Sequence, residues 1–403
     1  MSMRLLFLTA ESCPTYRTDV AALFGKYLPR HGVFSDIVAS RMPGQTRVEW
    51  GAGETYLCDI AGGQAKKHIK TLLHGIKHLF TAAPSRYQAI QVRDMPVLAF
   101  FGLLAARIKG LPFYYWMSYP MPEGQIDLAQ QRGLSAGLMK FLFPWVSGRV
   151  GRFLLYRVVL HRADHVFVQS DRMKEDMAAR GVSPARMTPV LMGVDLENVQ
   201  LEDIPPADDP RLKGRRVLVY LGTLDRARRI EILFEMLVHV RRHVPEVLLV
   251  LAGDTADDVH RAWLMQQAVA SGVADSVVWT GWLPVKEGWR YVRAAEVALS
   301  PIPRGTLLDC GSPTKVPEYL ALGVPVVCND NPDQEKVIRE SGAGLCVPYT
   351  AEAFAAAVLD ILSKVRDGND QSPSSGLDYV KAQRSYEQIS LMAAGVYESV
   401  SRK

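Results

Sequence analysis

Short apolar runs alternate along this chain with segments whose apolar positions recur every three to four residues. Residues 5–9 read as a buried strand, 20–31 as a helix, 35–39 and 89–92 as strands, 97–109 as a helix, and 113–117 and 166–169 as strands. Strands this uniformly apolar are covered on both faces, and their alternation with helices predicts a parallel sheet flanked by helices on both sides. The rhythm breaks over 203–213, where Pro205, Pro206 and Pro210 stand among charged residues, a linker composition. It then resumes with strands at 217–221, 247–252, 277–280, 297–299 and 324–327 and a helix at 230–240. The expectation is α/β architecture in two doubly wound domains, 1–204 and 215–380, joined by a linker at 205–214. A tail at 381–403 carries an amphipathic helix expected to pack back on the N-terminal domain. Two such domains leave a cleft, and ligands bind doubly wound sheets where strand carboxyl ends and helix N-termini line such a cleft.

Composition narrows the class. At 403 residues and 48% hydrophobic content the chain exceeds what one core supports, about 250–300 residues. A net charge of +5 suits an anionic small molecule or an acidic membrane surface, and no nucleic-acid motif accompanies it. Five cysteines without a C-x-x-C pair indicate neither a disulfide framework nor a zinc site, which points to a reducing cytoplasm. Residues 1–10 lack the flanks of a secretory signal, and the longest apolar run, 97–106, stops at Arg107 before the roughly 18 residues a membrane span needs. Within 131–162, Leu138, Phe141, Trp145 and Phe153 mix with Lys140, Arg149, Arg152 and Arg157. That mixture suits contact with the inner face of a membrane or a lipid-linked acceptor; interhelix packing accounts for its apolar part equally.

The sharpest local signal is Gly311-Ser312-Pro313-Thr314-Lys315-Val316-Pro317-Glu318, closed by Gly323. Ser312 reads as a helix N-cap and Pro313 as the first helical residue. Lys315 in the first turn opposes the helix dipole, which makes sense beside an anion, since exposed amides and a lysine at a helix start bind phosphate. A solvated surface lysine is the alternative. Glu318, three residues on and on the same side, can accept hydrogen bonds from vicinal hydroxyls such as a ribose offers, or pair with Lys315. After the first strand of the second domain, Gly222-Thr223-Leu224-Asp225-Arg226-Ala227-Arg228-Arg229 places Arg226 and Arg228 at a helix start, again favouring bound phosphate.

These segments resemble family 4 retaining glycosyltransferases of the two-Rossmann, or GT-B, architecture, in the subgroup with a Ser312-Pro313-Thr314-Lys315 donor helix. The resemblance runs over nearly the whole chain and includes Ala163-Asp164-His165, Gly193-Val194-Asp195, Trp279-Thr280-Gly281-Trp282, Gly323-Val324-Pro325 and Gly342-Ala343-Gly344. It implies Rossmann-like domains and a nucleotide-diphosphate sugar as substrate, without a further cofactor. Ser312, Thr314, Lys315, Arg226 and Arg228 would bind its phosphates, Glu318 its ribose, and Trp282, Leu283 and Pro284 its base. Glu318 corresponds to the second glutamate of the family's E-x(7)-E signature. Cys310 stands where the first is expected, so Asp309, Cys310 and Gly311 fall at the donor sugar. Thr223 replaces the family's usual arginine, and Arg228 the usual lysine.

The acceptor falls to the first domain. Family members often place a histidine after a central strand, and Ser118 is the positional match here, with Glu123 just beyond as a carboxylate able to take a proton. Arg93-Asp94 follows a predicted strand and would bind the acceptor, a glycan or lipid-linked glycan, or form a structural ion pair. The resemblance implies front-face attack with the donor phosphate taking the acceptor's proton. No D-x-D pair of the metal-dependent type is present, and no catalytic metal is expected. Two rival classes are weighed. A dinucleotide-dependent oxidoreductase needs G-x-G-x-x-G after an early strand, where this chain has Ala10-Glu11-Ser12-Cys13-Pro14-Thr15. A catalytically degenerate nucleotide-sugar binder accords with Cys310, Thr223 and the missing histidine.

Overall fold

The computed structural model describes residues 2–15, 17–45, 48–59, 64–133, 137–366 and 372–401. The chain divides into two compact units, Met1–Met192 with Tyr386–Lys403, and Gly193–Ser385.

The first unit holds seven strands: β1 Met3–Cys13, β2 Val33–Arg41, β3 Thr55–Asp59, β4 Ala89–Arg93, β5 Phe113–Met117, β6 His165–Val168 and β7 Met187–Pro189. They form one sheet in the order β3-β2-β1-β4-β5-β6-β7, every pair parallel. The chain winds outward from β1 to β3, then returns to place β4 on the other side of β1. That reversal, at the carboxyl ends of β1 and β4, is the place where doubly wound sheets generally bind ligands. Phe113–Met117 is buried throughout, as a strand covered on both faces must be. Trp116 stacks on Phe167 and meets Phe24 edge-on. The helix Tyr386–Ser401 supplies Tyr386, Ile389, Ala393 and Tyr397 to this core, with Tyr386 donating to Thr18 Oγ1 and Tyr397 to Gln91 Oε1.

The second unit holds β8 Arg216–Leu221, β9 Val247–Ala252, β10 Val277–Trp279, β11 Val297–Ser300, β12 Val326–Asn329 and β13 Gly344–Val347. Their order is β10-β9-β8-β11-β12-β13, again all parallel, with the reversal between β8 and β11. Each unit is thus the doubly wound α/β domain that the alternation of apolar runs predicts.

Two expectations change. The proline-rich stretch 205–214 is not a free linker. Ile204 and Leu212 lie in the second unit's core, Ala207 N–H donates to Arg290 O, and Tyr291 donates to Asp209. The units divide at Met192/Gly193 and Ser385/Tyr386 instead, because Val194 and Val199 already pack in the second core and Val194 N–H bonds Arg384 O. Residues 20–31 are helical but not one α-helix: a π-helix at Asp19–Tyr27 passes into a 3-10 turn at Leu28–His31. β3, β7, β13 and the helix Gln64–Thr81 add to the elements expected.

Candidate functional site

In the second unit, β8 ends at Leu221, and Gly222 follows with φ +144. Gly253 follows β9 with φ +145, and a Cβ there would stand 2.1 Å from Gly222 O. Only glycine lets the two strand ends approach so closely. The helix Lys315–Ala321 lies against this place: Tyr319 Oη accepts a 2.9 Å hydrogen bond from Leu221 N–H. Lys315 therefore reaches over the end of β8. A Cβ on Gly222 would meet Lys315 Cε at 2.7 Å and Nζ at 3.0 Å, and Nζ lies 5.3 Å from the Tyr220 ring centroid.

Lys315 is half-buried, and burial, with the Arg228 charge adding to it, lowers its pKa to about 7 against the opposing pull of Glu318 and Asp225. Glu318 is likewise half-buried. Burial raises it to about 7, countered by Lys315 and a hydrogen bond with Thr314. Lys315 thus stands over Gly222 at the sheet's reversal, within reach of the Arg228 and Glu318 charges. An anion there would favour the charged form of Lys315 against its burial and offset the Arg228 charge, and Glu318 retains acceptor capacity for hydroxyls.

The other donor-site candidates divide. Thr314 caps the helix by position, without a side-chain capping bond. Ser312 is not the N-cap and Pro313 is not the first helical residue, because the helix starts at Lys315. Ser312 is buried instead, its hydroxyl donating to Asp333 at 2.8 Å and accepting from Arg384 at 3.2 Å. Arg384 and Asp333 pair at 2.6 Å with Arg384 fully buried. Arg226 is exposed and pairs with Asp257 at 3.0 Å. Asp309 is held by the Arg304 fork at 2.9 and 3.2 Å, and Cys310 is buried with Sγ 3.0 Å from Thr306 O. Gly311 N–H bonds back to Leu308 O. Trp282, Leu283 and Pro284 follow β10 and lead into the helix Val285–Arg293, with Trp282 exposed.

In the first unit the reversal between β1 and β4 is filled with charge. Arg93, at the end of β4 and 1% exposed, contacts Asp19 at 2.7 Å, Glu11 at 2.9 Å, Asp94 at 3.2 Å and Ser118 Oγ at 2.9 Å. Asp94 sits at φ +56 and receives Ser118 N–H at 2.8 Å; the Ser118 hydroxyl also bonds its carboxylate. Burial works against the Asp19 charge, but the Arg93 and Arg17 guanidiniums outweigh it and hold its carboxyl below the usual range. Ser118, Arg93 and Asp94 are therefore one hydrogen-bonded group at the switch point. Glu123 makes none of these contacts. It lies in the helix Met121–Arg132, takes a 2.6 Å bond from Tyr156, and sits 3.4 Å from Arg152 and 3.7 Å from Arg180. Tyr156 thus bonds one oxygen of this carboxylate, Oε2, while Oε1 is buried beside Arg152 and Arg180 without a hydrogen bond.

Sequence reasoning did not single out Gly253, Tyr220, Glu11, Asp19, Asp333 or Arg384. The strand-then-glycine pattern, Leu221-Gly222 and Ala252-Gly253, is the signal that could have located the first.

Residues 18–193 match the model of the glycosyl transferase 4-like domain, and residues 215–364 that of the glycosyl transferases group 1. The chain belongs to the family 4 glycosyltransferases. The chain is 25% identical over 236 residues to alpha-monoglucosyldiacylglycerol synthase of Streptococcus pneumoniae, a match covering 57% of the chain and 51% of that protein. The match thus spans about half the length of that relative. Among solved structures, sucrose-phosphate synthase from Thermosynechococcus elongatus superimposes with a TM-score of 0.72 at 18% identity, covering 99% of each chain. Anabaena HepE in complex with UDP-glucose gives 0.67 at 15% identity, covering 98% of this chain and all of that one. These likenesses establish the GT-B fold.

Proposed function

We propose that this protein transfers a glycosyl group, with retention at the anomeric carbon, from a nucleotide-diphosphate sugar to a hydroxyl of a glycan or lipid-linked glycan, without a catalytic metal. The observation that carries the reading is Lys315 standing over Gly222 at the β8/β11 reversal, with the Arg228 and Glu318 charges acting on it. As the sugar–oxygen bond breaks, charge grows on the leaving diphosphate, and fixed cations in a partly dry site stabilise it more as it grows. Lys315 and Arg228 take that role, with Thr314 at the helix start. Glu318 accepts hydrogen bonds from the ribose. Trp282, Leu283 and Pro284 meet the base, and Asp309, Cys310 and Gly311 lie toward the donor sugar. Ser312 acts through its buried contacts and Arg226 at longer range, both outside direct phosphate contact. Ser118, Arg93 and Asp94 form the acceptor side.

HepE, of the same fold, was solved with UDP-glucose, and the pneumococcal relative is named for a glycolipid product. Both support a nucleotide-sugar donor and a glycolipid acceptor. A glycolipid acceptor, together with the exposed Leu138, Trp145 and Phe153, supports contact of residues 131–162 with a membrane surface on the cytoplasmic side. Among the described residues no helix is long and apolar enough to cross a membrane.

The test is calorimetric titration with a panel of nucleoside diphosphates, followed by release of nucleotide from the matching sugar donor. One nucleotide should bind selectively, and Glu318→Ala should weaken it about 10–100-fold, the loss of charge-assisted hydrogen bonds worth roughly 1.5–3 kcal/mol. Chelator should leave turnover unchanged. If no nucleotide binds, the donor reading fails. A nucleotide that binds while its sugar is never released or transferred identifies a degenerate binder.

A further inference from the structure

The helices Gln64–Thr81, Pro96–Lys109 and Leu138–Phe153 of the first unit carry nine Lys and Arg and not one Asp or Glu. The formal net charge of the whole chain is only +5, so the rest of the chain is net acidic and the positive charge is concentrated on these three helices.

The same helices expose apolar side chains in register. On Leu138–Phe153, Met139, Phe143, Val146, Val150 and Phe153 recur at alternating spacings of four and three residues, the period of one helix face, and Phe153 is 62% exposed. On Gln64–Thr81, Ile69, Leu73 and Phe80 share a face, with Leu73 at 61%. On Pro96–Lys109, Leu104 and Ile108 lie one turn apart, with Ile108 at 67%.

The three helices adjoin. A Cβ at Gly75 would stand 2.6 Å from Leu98, and one at Gly151 would stand 3.6 Å from Pro96. The His68 and Phe143 rings lie 5.9 Å apart, and Lys109 Nζ donates to Phe80 O at 3.1 Å. Of the basic side chains, Arg107 pairs with Asp164 and Arg152 with Glu123. Lys70, Lys77, Lys140 and Arg149 are exposed and have no ion pair among the described residues; Arg149 lies 5.3 Å from the Trp145 ring centroid.

Soluble monomers rarely leave so much apolar surface uncovered without a use for it. The face joins apolar stripes to cations that lack counter-charges, and its one tryptophan carries an arginine over its ring. That is the complement of an anionic interface with hydrocarbon behind it. Apolar side chains enter the acyl boundary while lysine and arginine stems reach back to the headgroups. We propose that this three-helix face docks the protein onto an anionic phospholipid bilayer.

The proposal deepens the membrane contact read above for 131–162. Two of its three helices lie outside that segment, and it names the lipid charge. Its test contains no nucleotide or acceptor, so its failure is separate from failure of the transferase reading. Intact protein is co-sedimented with phosphatidylcholine vesicles with and without phosphatidylglycerol. One variant combines Lys70→Gln, Lys77→Gln, Lys140→Gln and Arg149→Gln. A second combines Leu73→Ser, Ile108→Ser and Phe153→Ser. All seven positions are exposed, and thermal unfolding verifies that both variants fold. The wild type should bind the anionic vesicles and scarcely the neutral ones. At about fivefold per charge removed, the first variant should lose at least about 100-fold in partitioning. The second should lose binding that persists in high salt. Equal binding to neutral vesicles, or binding unchanged in both variants, overturns the proposal. So does self-association without lipid that the serine variant abolishes, because the face then belongs to a second copy of the chain.

Discussion

Lys315 and Glu318 stand three residues apart and each titrates near neutrality, from opposite directions: burial lowers the ammonium to about 7 and raises the carboxyl to about 7. A lysine with a lowered pKa is mostly neutral in the free protein at about pH 8, and a bound diphosphate raises that pKa again. Nucleotide binding at about pH 8 should therefore take up a fraction of a proton, and affinity should fall as pH climbs from about 7 to 9. Calorimetry in buffers of different ionisation enthalpy measures the uptake directly. Lys315→Arg keeps the charge at every pH used, so the uptake assigned to this group should vanish and the affinity profile above pH 7 should flatten; an unchanged uptake would place the titrating group elsewhere. For folding the signs are opposed. The Glu318 shift makes stability fall with rising pH between about 4.5 and 7, and the Lys315 shift makes it rise between about 7 and 10.5. Glu318→Gln should remove the first slope and leave the second, as urea unfolding at stepped pH would show.

Strands with unbroken apolar runs were legible in the sequence. Val247–Ala252 and Phe113–Met117 stand where the pattern puts them, because a strand buried on both faces has no choice of composition. Thr55–Asp59 was not legible, since β3 is an edge strand with mostly half-buried residues, and Gly344–Val347 opens on a glycine and is half-buried throughout. The same divide runs through the site. Lys315 and Glu318 declare themselves by short spacing at a helix start. Ser312 and Glu123 are decided by partners that spacing does not reveal: Arg384 is 72 residues from Ser312, and Tyr156 is 33 from Glu123. Arg384 shows what such a partner does. It is fully buried against Asp333 and Ser312, and Ser312 leads the loop into Lys315. Arg384→Met strands the Asp333 charge and should cost about 3–5 kcal/mol, whereas pairing it with Asp333→Leu should recover much of that loss, because the apolar pair leaves no buried charge behind. Denaturant unfolding of the two variants gives the comparison. A double variant no more stable than Arg384→Met would mean that the pair is not coupled as the geometry indicates.

Two cores in one chain make a further expectation possible. The first unit's core depends on a helix from the far end of the sequence, where Tyr397 is 1% exposed, contacts the Phe167 and Tyr114 rings and bonds Gln91. The cluster of Lys315, Arg228 and Glu318 belongs entirely to the second unit. Differential scanning calorimetry should resolve two transitions, as multidomain chains depart from a single two-state unfolding. Tyr397→Ala removes a large buried aromatic side chain and should cost the first unit about 3–5 kcal/mol. The transition it lowers should be one that saturating nucleotide does not move. Nucleotide should raise the other, by an amount that grows with the logarithm of its concentration. Because each perturbation acts on its own core, the two effects should add within about 0.5 kcal/mol. If Tyr397→Ala lowers the nucleotide-sensitive transition equally, the two cores unfold as one, and stability in this chain is set by its weaker half.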